Sequence, residues 1–214
     1  MINNFVIFGD SYSTHKEYIP EGYAYFYCDE GLPGDEPVTK MTAKQTWWGQ
    51  LMENSDAKLI LNDSWSGSTI GYTGYSGDCS RTSSFIYRYI RLFEAGFFAC
   101  NKVDTVFVFG GTNDCWSGAP LGEEQYDNWQ REDLFKVLPA VCYLMSRLKQ
   151  DLPHARIIFI GNCDIGDTII DCMEHAAKRL GAEFVRLHDI DKQAGHPSVM
   201  GMGQICQQIL EQLK

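Results

Sequence analysis

A serine hydroxyl is a weak nucleophile until a base takes its proton, so hydrolytic chemistry of this kind needs a serine at an exposed turn and a histidine that can reach it. Ser11 stands in Gly9-Asp10-Ser11-Tyr12-Ser13, where a glycine permits a tight turn straight after an apolar run. Taken alone, the segment reads equally well as a helix start, because Ser and Asp are favoured caps and turn residues. Five histidines could serve as the base. His15 lies four residues after Ser11 in an aromatic stretch, His154 follows Pro153, and His175 sits among polar residues with helical spacing. These three read as surface or pocket-wall residues. His188 closes an apolar run, while His196 stands in Gly195-His196-Pro197-Ser198. The proline keeps His196 out of the following helix and Ser198 can cap that helix, which leaves His196 on a loop at the edge where Ser11 is expected. A solvated loop histidine is the alternative.

Acyl transfer also requires hydrogen-bond donors aimed at the oxygen that gains charge. Asn62-Asp63-Ser64-Trp65-Ser66-Gly67 and Gly110-Gly111-Thr112-Asn113-Asp114 each follow an apolar run. Gly67 could offer its backbone N–H with no side chain in the way, and Asn113 its side-chain amide. Both are also ordinary turn residues.

The elements that must position these residues are short runs rich in β-branched and aromatic residues: Phe5–Phe8, Lys58–Leu61, Thr105–Phe109, Arg156–Ile160 and Glu183–Leu187. Each reads as a buried strand. Between them, Leu134, Val137, Leu138, Val141, Met145 and Leu148 recur with helical spacing, as do Met202, Ile205, Cys206, Ile209 and Leu213. Pro139 is expected to kink or interrupt the first of these helices. Alternating strands and helices imply a parallel sheet covered on both faces, with ligands at the carboxyl ends of the strands. Two stretches, 14–46 and 64–82, exceed ordinary loop length and are rich in Tyr, Trp and Gly. Tyr12, Tyr18, Tyr23, Tyr25, Tyr27, Trp47, Trp48, Trp65, Tyr72, Tyr75 and Trp116 are the candidates for a pocket wall.

The 214 residues, 44% of them hydrophobic, suffice for one domain spanning 1–214. Lys and Arg number 18 against 28 Asp and Glu, a net charge of -10 with no basic run, so nucleic acid and anionic membrane are poor partners. No apolar segment is long enough to span a bilayer and none resembles a secretory signal, so a cytoplasmic location is expected. The eight cysteines show no paired spacing and read as small buried hydrophobes, neither a disulfide framework nor a zinc site. A flavin or nucleotide binder is disfavoured by the lack of a Walker lysine and of a Gly-x-Gly-x-x-Gly fingerprint.

Four separated blocks occur in a fixed order: Gly-Asp-Ser at 9–11, Asn-x-Ser-x-x-Gly at 62–67, Gly-Gly-Thr-Asn-Asp at 110–114 and Gly-His-Pro at 195–197. Together they resemble the SGNH (GDSL) hydrolase superfamily over essentially the whole chain. The resemblance implies a flavodoxin-like three-layer α/β/α sandwich with a five-stranded parallel sheet, with Ser11 as nucleophile and His196 as base. It implies an oxyanion hole made by the N–H groups of Ser11 and Gly67 and the amide of Asn113. It implies action on a small-molecule ester without a cofactor. Sugar rings and short acyl groups suit a polar, aromatic pocket, so a short ester, such as an acetyl group on a carbohydrate, is the expected substrate. A degenerate protein of the same fold that binds a carbohydrate or acylated ligand is the alternative, and transfer of the acyl group to an alcohol would use the same residues.

One position departs from that family. The carboxylate usually found three residues before the histidine is replaced by Gln193. Asp191 is expected to take over the task of orienting His196, ahead of a Ser-His dyad held by a backbone carbonyl or by Gln193, with Asp189 a weaker candidate.

Overall fold

Strict alternation within fully buried strands decides the layering of this protein. The computed structural model describes residues 2–213. The chain runs through β1 (Asn4–Gly9), α1 (Glu36–Thr39), α2 (Trp47–Glu53), β2 (Lys58–Ser64), β3 (Thr73–Gly74), β4 (Gly77–Asp78), α3 (Phe85–Glu94), α4 (Phe97–Cys100) and β5 (Thr105–Gly110). It continues through α5 (Thr112–Trp116), α6 (Val137–Asp151), β6 (Arg156–Gly161), α7 (Asp167–Leu180), β7 (Glu183–Arg186), β8 (Lys192–Gln193), β9 (His196–Pro197) and α8 (Val199–Gln212). All five apolar runs are strands of one parallel sheet in the order β2-β1-β5-β6-β7. That is the flavodoxin-like order, and its switch point lies between β1 and β5.

Successive residues of a strand face opposite sides, so each central strand supplies two cores. Val6 and Phe8, Val106 and Val108, and Ile157 and Phe159 pack with Phe85, Ile86 and Tyr89 of α3 and with the apolar faces of α6 and α7. Phe5 and Ile7, Phe107 and Phe109, and Ile158 and Ile160 pack with Trp47, Trp48 and Leu51 of α2 and with Met202, Ile205 and Ile209 of α8. The result is the expected three-layer α/β/α sandwich.

Pro139 does not break its helix as the apolar spacing suggested. The segment Arg131–Phe135 is a separate 3-10 turn, and α6 begins only at Val137. Pro139 therefore falls in the first turn, where a helix has no partner for the missing N–H.

The segment 14–46 carries only α1 and one 3-10 turn, and 64–82 carries the β3–β4 hairpin. No helix among the described residues is long and apolar enough to cross a membrane.

Candidate active site

Ser11 is two residues beyond β1, Gly67 three beyond β2 and Asn113 three beyond β5. Because Gly9 pairs with Ser64 on one side and with Phe109 on the other, the three loops leave the sheet side by side at its carboxyl edge. A chain of hydrogen bonds ties them together. The Gly9 carbonyl accepts from the Trp65 N–H at 3.0 Å, and the Ser68 carbonyl accepts from Asn113 Nδ2 at 3.0 Å. The Asp114 carboxylate accepts from the N–H groups of Ile70 and Gly71 at 2.9 and 3.1 Å, which pins the second loop to the third.

Asn113 is nearly buried and has its Oδ1 engaged by the Tyr75 hydroxyl at 3.0 Å. The Ser68 carbonyl can only accept, which settles which end of the amide is nitrogen, and one Nδ2 hydrogen remains beyond the one given to Ser68. Gly67 has φ +80, a left-handed conformation natural to glycine, and a Cβ there would enter open space. Among the described residues, neither the Ser11 nor the Gly67 N–H donates to a protein acceptor.

His196 arrives from the opposite end of the chain. Strands β8 and β9 form a hairpin in which Gln193 faces His196 across a two-residue turn. Both turn residues have positive φ, +46 at Ala194 and +77 at Gly195, as a primed hairpin turn demands. Nε2 of His196 lies 2.9 Å from Ser11 Oγ and Nδ1 lies 3.2 Å from the Ala194 carbonyl. A carbonyl only accepts, so Nδ1 carries the proton of the neutral ring and Nε2 presents its lone pair to the Ser11 hydroxyl. Burial lowers the His196 pKa below the ordinary imidazole value, the Ala194 bond opposes that, and the Lys192 charge adds to it.

Asp191 does not reach His196, which corrects the expectation placed on it. Its carboxylate accepts from the Ser198 hydroxyl, and its backbone carbonyl accepts from the Ser198 N–H at 3.1 Å. Ser198 caps α8, accepting from the Gly201 N–H, so Asp191 is occupied in starting that helix. Gln193 is exposed, and Asp189 bonds the exposed His188. The remaining histidines also lie away from Ser11 Oγ. His15, read as a surface or pocket-wall residue, is buried, with Nε2 3.0 Å from the Met41 carbonyl and 3.3 Å from Asp29. His154 and His175 are exposed.

Several expected wall residues turn out to be supports. Trp47 and Trp48 are fully buried and donate their indole N–H groups to Ser13 Oγ and the Ser13 carbonyl, beneath the Ser11 turn. Trp65 packs on Tyr23. Tyr75, bonded to Asn113, and Trp116, beside His196, are 57% and 45% exposed, whereas the equally exposed Tyr18 packs on His15 and Trp48.

Arg88 escaped the sequence reading. It is fully buried, donating to the carbonyls of Ser83, Asp63 and Gly9 and to Ser68 Oγ, with Asp63 as its counter-ion. Its signal was an arginine on the same helical face as Phe85 and Tyr89. Asp10 is also buried, accepting from the Tyr12 N–H at 3.0 Å, and burial pushes its carboxyl up to about 7. Among the described residues, no group of three or more His, Cys, Asp or Glu converges in a way that could hold a metal ion.

An α/β sandwich that sets a histidine acceptor nitrogen on a serine hydroxyl at its switch point is an arrangement compatible with a hydrolase. The GDSL-like Lipase/Acylhydrolase family matches residues 3–213. A protein of Bacteroides uniformis described as a GDSL-like lipase is 41% identical over 98% of this chain and 94% of its own, with a TM-score of 0.87. One from Bacteroides ovatus with the same description is 36% identical over 99% and 97%, with a TM-score of 0.88. A family two carbohydrate esterase from Clostridium thermocellum, in complex with cellohexaose, shares the fold at 17% identity over 99% of this chain and 63% of its own, with a TM-score of 0.61. No curated protein matches the chain. The protein belongs to the GDSL-like lipase/acylhydrolase family, and it is a carboxylic-ester hydrolase.

Proposed function

We propose that the protein is a serine esterase that removes a short acyl group, such as acetyl, from a carbohydrate-like alcohol by way of an acyl-enzyme on Ser11. The observation that carries this reading is the 2.9 Å contact between Ser11 Oγ and a His196 Nε2 whose partner nitrogen is occupied by a carbonyl.

In this reading Ser11 Oγ bonds to the ester carbonyl carbon while its proton passes to His196 Nε2. The oxygen that gains charge is held by the N–H groups of Ser11 and Gly67 and by Asn113 Nδ2. As the carbon–oxygen bond to the alcohol breaks, His196 returns the proton to the leaving oxygen. Water then attacks the acyl-enzyme with His196 again as base, releasing the acid and restoring Ser11. Ser11 and His196 work as a dyad, with the Ala194 carbonyl in the place of a third side chain.

The short acyl group and the sugar-like alcohol are supported by the rim. Trp116, whose ring centroid is 6.3 Å from that of His196, and Tyr75, bonded to Asn113, leave much of their surface free beside the reacting atoms. Flat aromatic surface of this kind packs against the C–H faces of sugar rings. Turnover of p-nitrophenyl acetate by the wild type and by Ser11→Ala tests the reading. Loss of turnover with retained folding is expected, whereas full activity in the variant would overturn Ser11 as nucleophile. Faster cleavage of octanoate than of acetate would overturn the short acyl preference, and binding of an acetylated sugar without cleavage would favour a degenerate site.

A further inference from the structure

A histidine that acts as base must be held in one plane, and the imidazolium it becomes must be stabilised; in a triad one carboxylate does both. Here no carboxylate bonds His196, and the Ala194 carbonyl, at 3.2 Å on a two-residue turn, bears a neutral dipole in place of a charge. The half-buried imidazole is nevertheless flanked by aromatic rings. The Phe26 ring lies face to face with it, centroids 3.6 Å apart and planes within 10°. Tyr12 meets it edge-on at 5.3 Å and Trp116 at 6.3 Å.

Phe26 is itself fixed to the nucleophile. Its N–H donates to Thr14 Oγ1 at 2.9 Å, and the Thr14 hydroxyl donates to the Ser11 carbonyl at 3.0 Å, with Thr14 fully buried. The adjoining Tyr27 donates its hydroxyl to the Pro197 carbonyl at 2.8 Å, and Tyr12 donates to the Gly195 carbonyl at 2.5 Å. Residues 12–27 thus grip the backbone on both sides of His196 and pack against its ring, so nucleophile and base are tied to one loop.

We infer that Phe26 is a positioning residue for His196, performing with its ring face the two tasks that a triad gives to a carboxylate. The stack sets the plane in which Nε2 meets Ser11 Oγ. The ring face carries the negative lobe of the aromatic quadrupole, so it attracts the imidazolium formed on proton transfer and offsets part of the cost of its burial. Ionisable neighbours of the imidazole are Tyr12, edge-on to it, and Lys192 on the partner strand, neither of them a carboxylate. This inference rests on the reading of Ser11 and His196 as nucleophile and base.

The test compares wild type, Phe26→Leu, Phe26→Tyr and Ser11→Ala on p-nitrophenyl acetate, with the rate of labelling by a fluorophosphonate as a second readout. Phe26→Leu keeps an apolar cover but lacks the ring face, so kcat and the labelling rate should fall about tenfold, a part of what a general base contributes, while KM stays within about twofold. Phe26→Tyr keeps the face and should restore most of both. Wild-type kcat in Phe26→Leu, a change confined to KM, or a loss that tyrosine fails to restore would overturn the inference. If the leucine variant does not fold, Phe26→Met fills the same space without a π face and is judged by the same outcomes. Wild-type activity in Ser11→Ala would instead remove the serine reading itself, so the two failures are distinct.

Discussion

The carbonyl of Ala194 faces Nδ1 of His196 at 3.2 Å, in the position where a triad would set a carboxylate. The nearest sequence candidate, Asp191, is turned away to Ser198. Removing the charge of a true triad aspartate costs about 10⁴ in turnover. Asp191→Asn, which can still accept from Ser198, should therefore retain kcat within about twofold in steady-state assays. A loss on the triad scale would mean that Asp191 acts on His196 after all.

Asn113 and Tyr75 form a graded pair. Asn113→Ala deletes a proposed oxyanion donor and should lower kcat roughly 10²-fold or more with little change in KM. Tyr75→Phe deletes only the bond that orients the amide, whose worth as a neutral hydrogen bond corresponds to about 2- to 10-fold. A double variant no worse than Asn113→Ala alone would show that Tyr75 works through Asn113.

His196 must be neutral to accept a proton. Because burial, the largest influence on it, holds its pKa below the ordinary value, the base form persists to lower pH than an exposed imidazole would allow. The acid limb of kcat/KM should therefore have its midpoint below about 6.5, the unperturbed histidine value. A midpoint above that value, measured with a substrate that does not itself titrate, would contradict it.

Asp10 gives a stability prediction with the opposite sign to the usual carboxylate. Burial raises its pKa from 3.8 to about 7, so between those values the folded chain keeps a proton that the unfolded chain has lost. Its contribution to stability thus declines as pH rises through that window. Asp10→Asn removes the ionisation and should melt above the wild type at pH 8, by at least about 2–4 °C, the shift that one kcal/mol produces in a chain of this size. The gap should close towards pH 4, and melting curves at the two pH values decide it.

Much of the fold was legible because the signals are local. Buried parallel strands need continuous apolar runs such as Thr105–Phe109, and glycine, serine and asparagine after each run mark the loops at one sheet edge. Pro139 was misjudged because spacing alone does not say where a helix begins, and a proline harmful in the middle is harmless in the first turn.

The sequence by itself thus determined the strands, two of their covering helices and the four loop blocks that bring Ser11, Gly67, Asn113 and His196 to one edge. Only the tertiary structure decided what holds His196. Its Nδ1 partner is a backbone carbonyl, which no side-chain pattern encodes, and its stacking partner is Phe26, far away in the chain within a loop whose path depends on Thr14, Tyr27 and the hairpin it grips. Asp191 is close to His196 in sequence, but its carboxylate is taken by the Ser198 hydroxyl that caps α8.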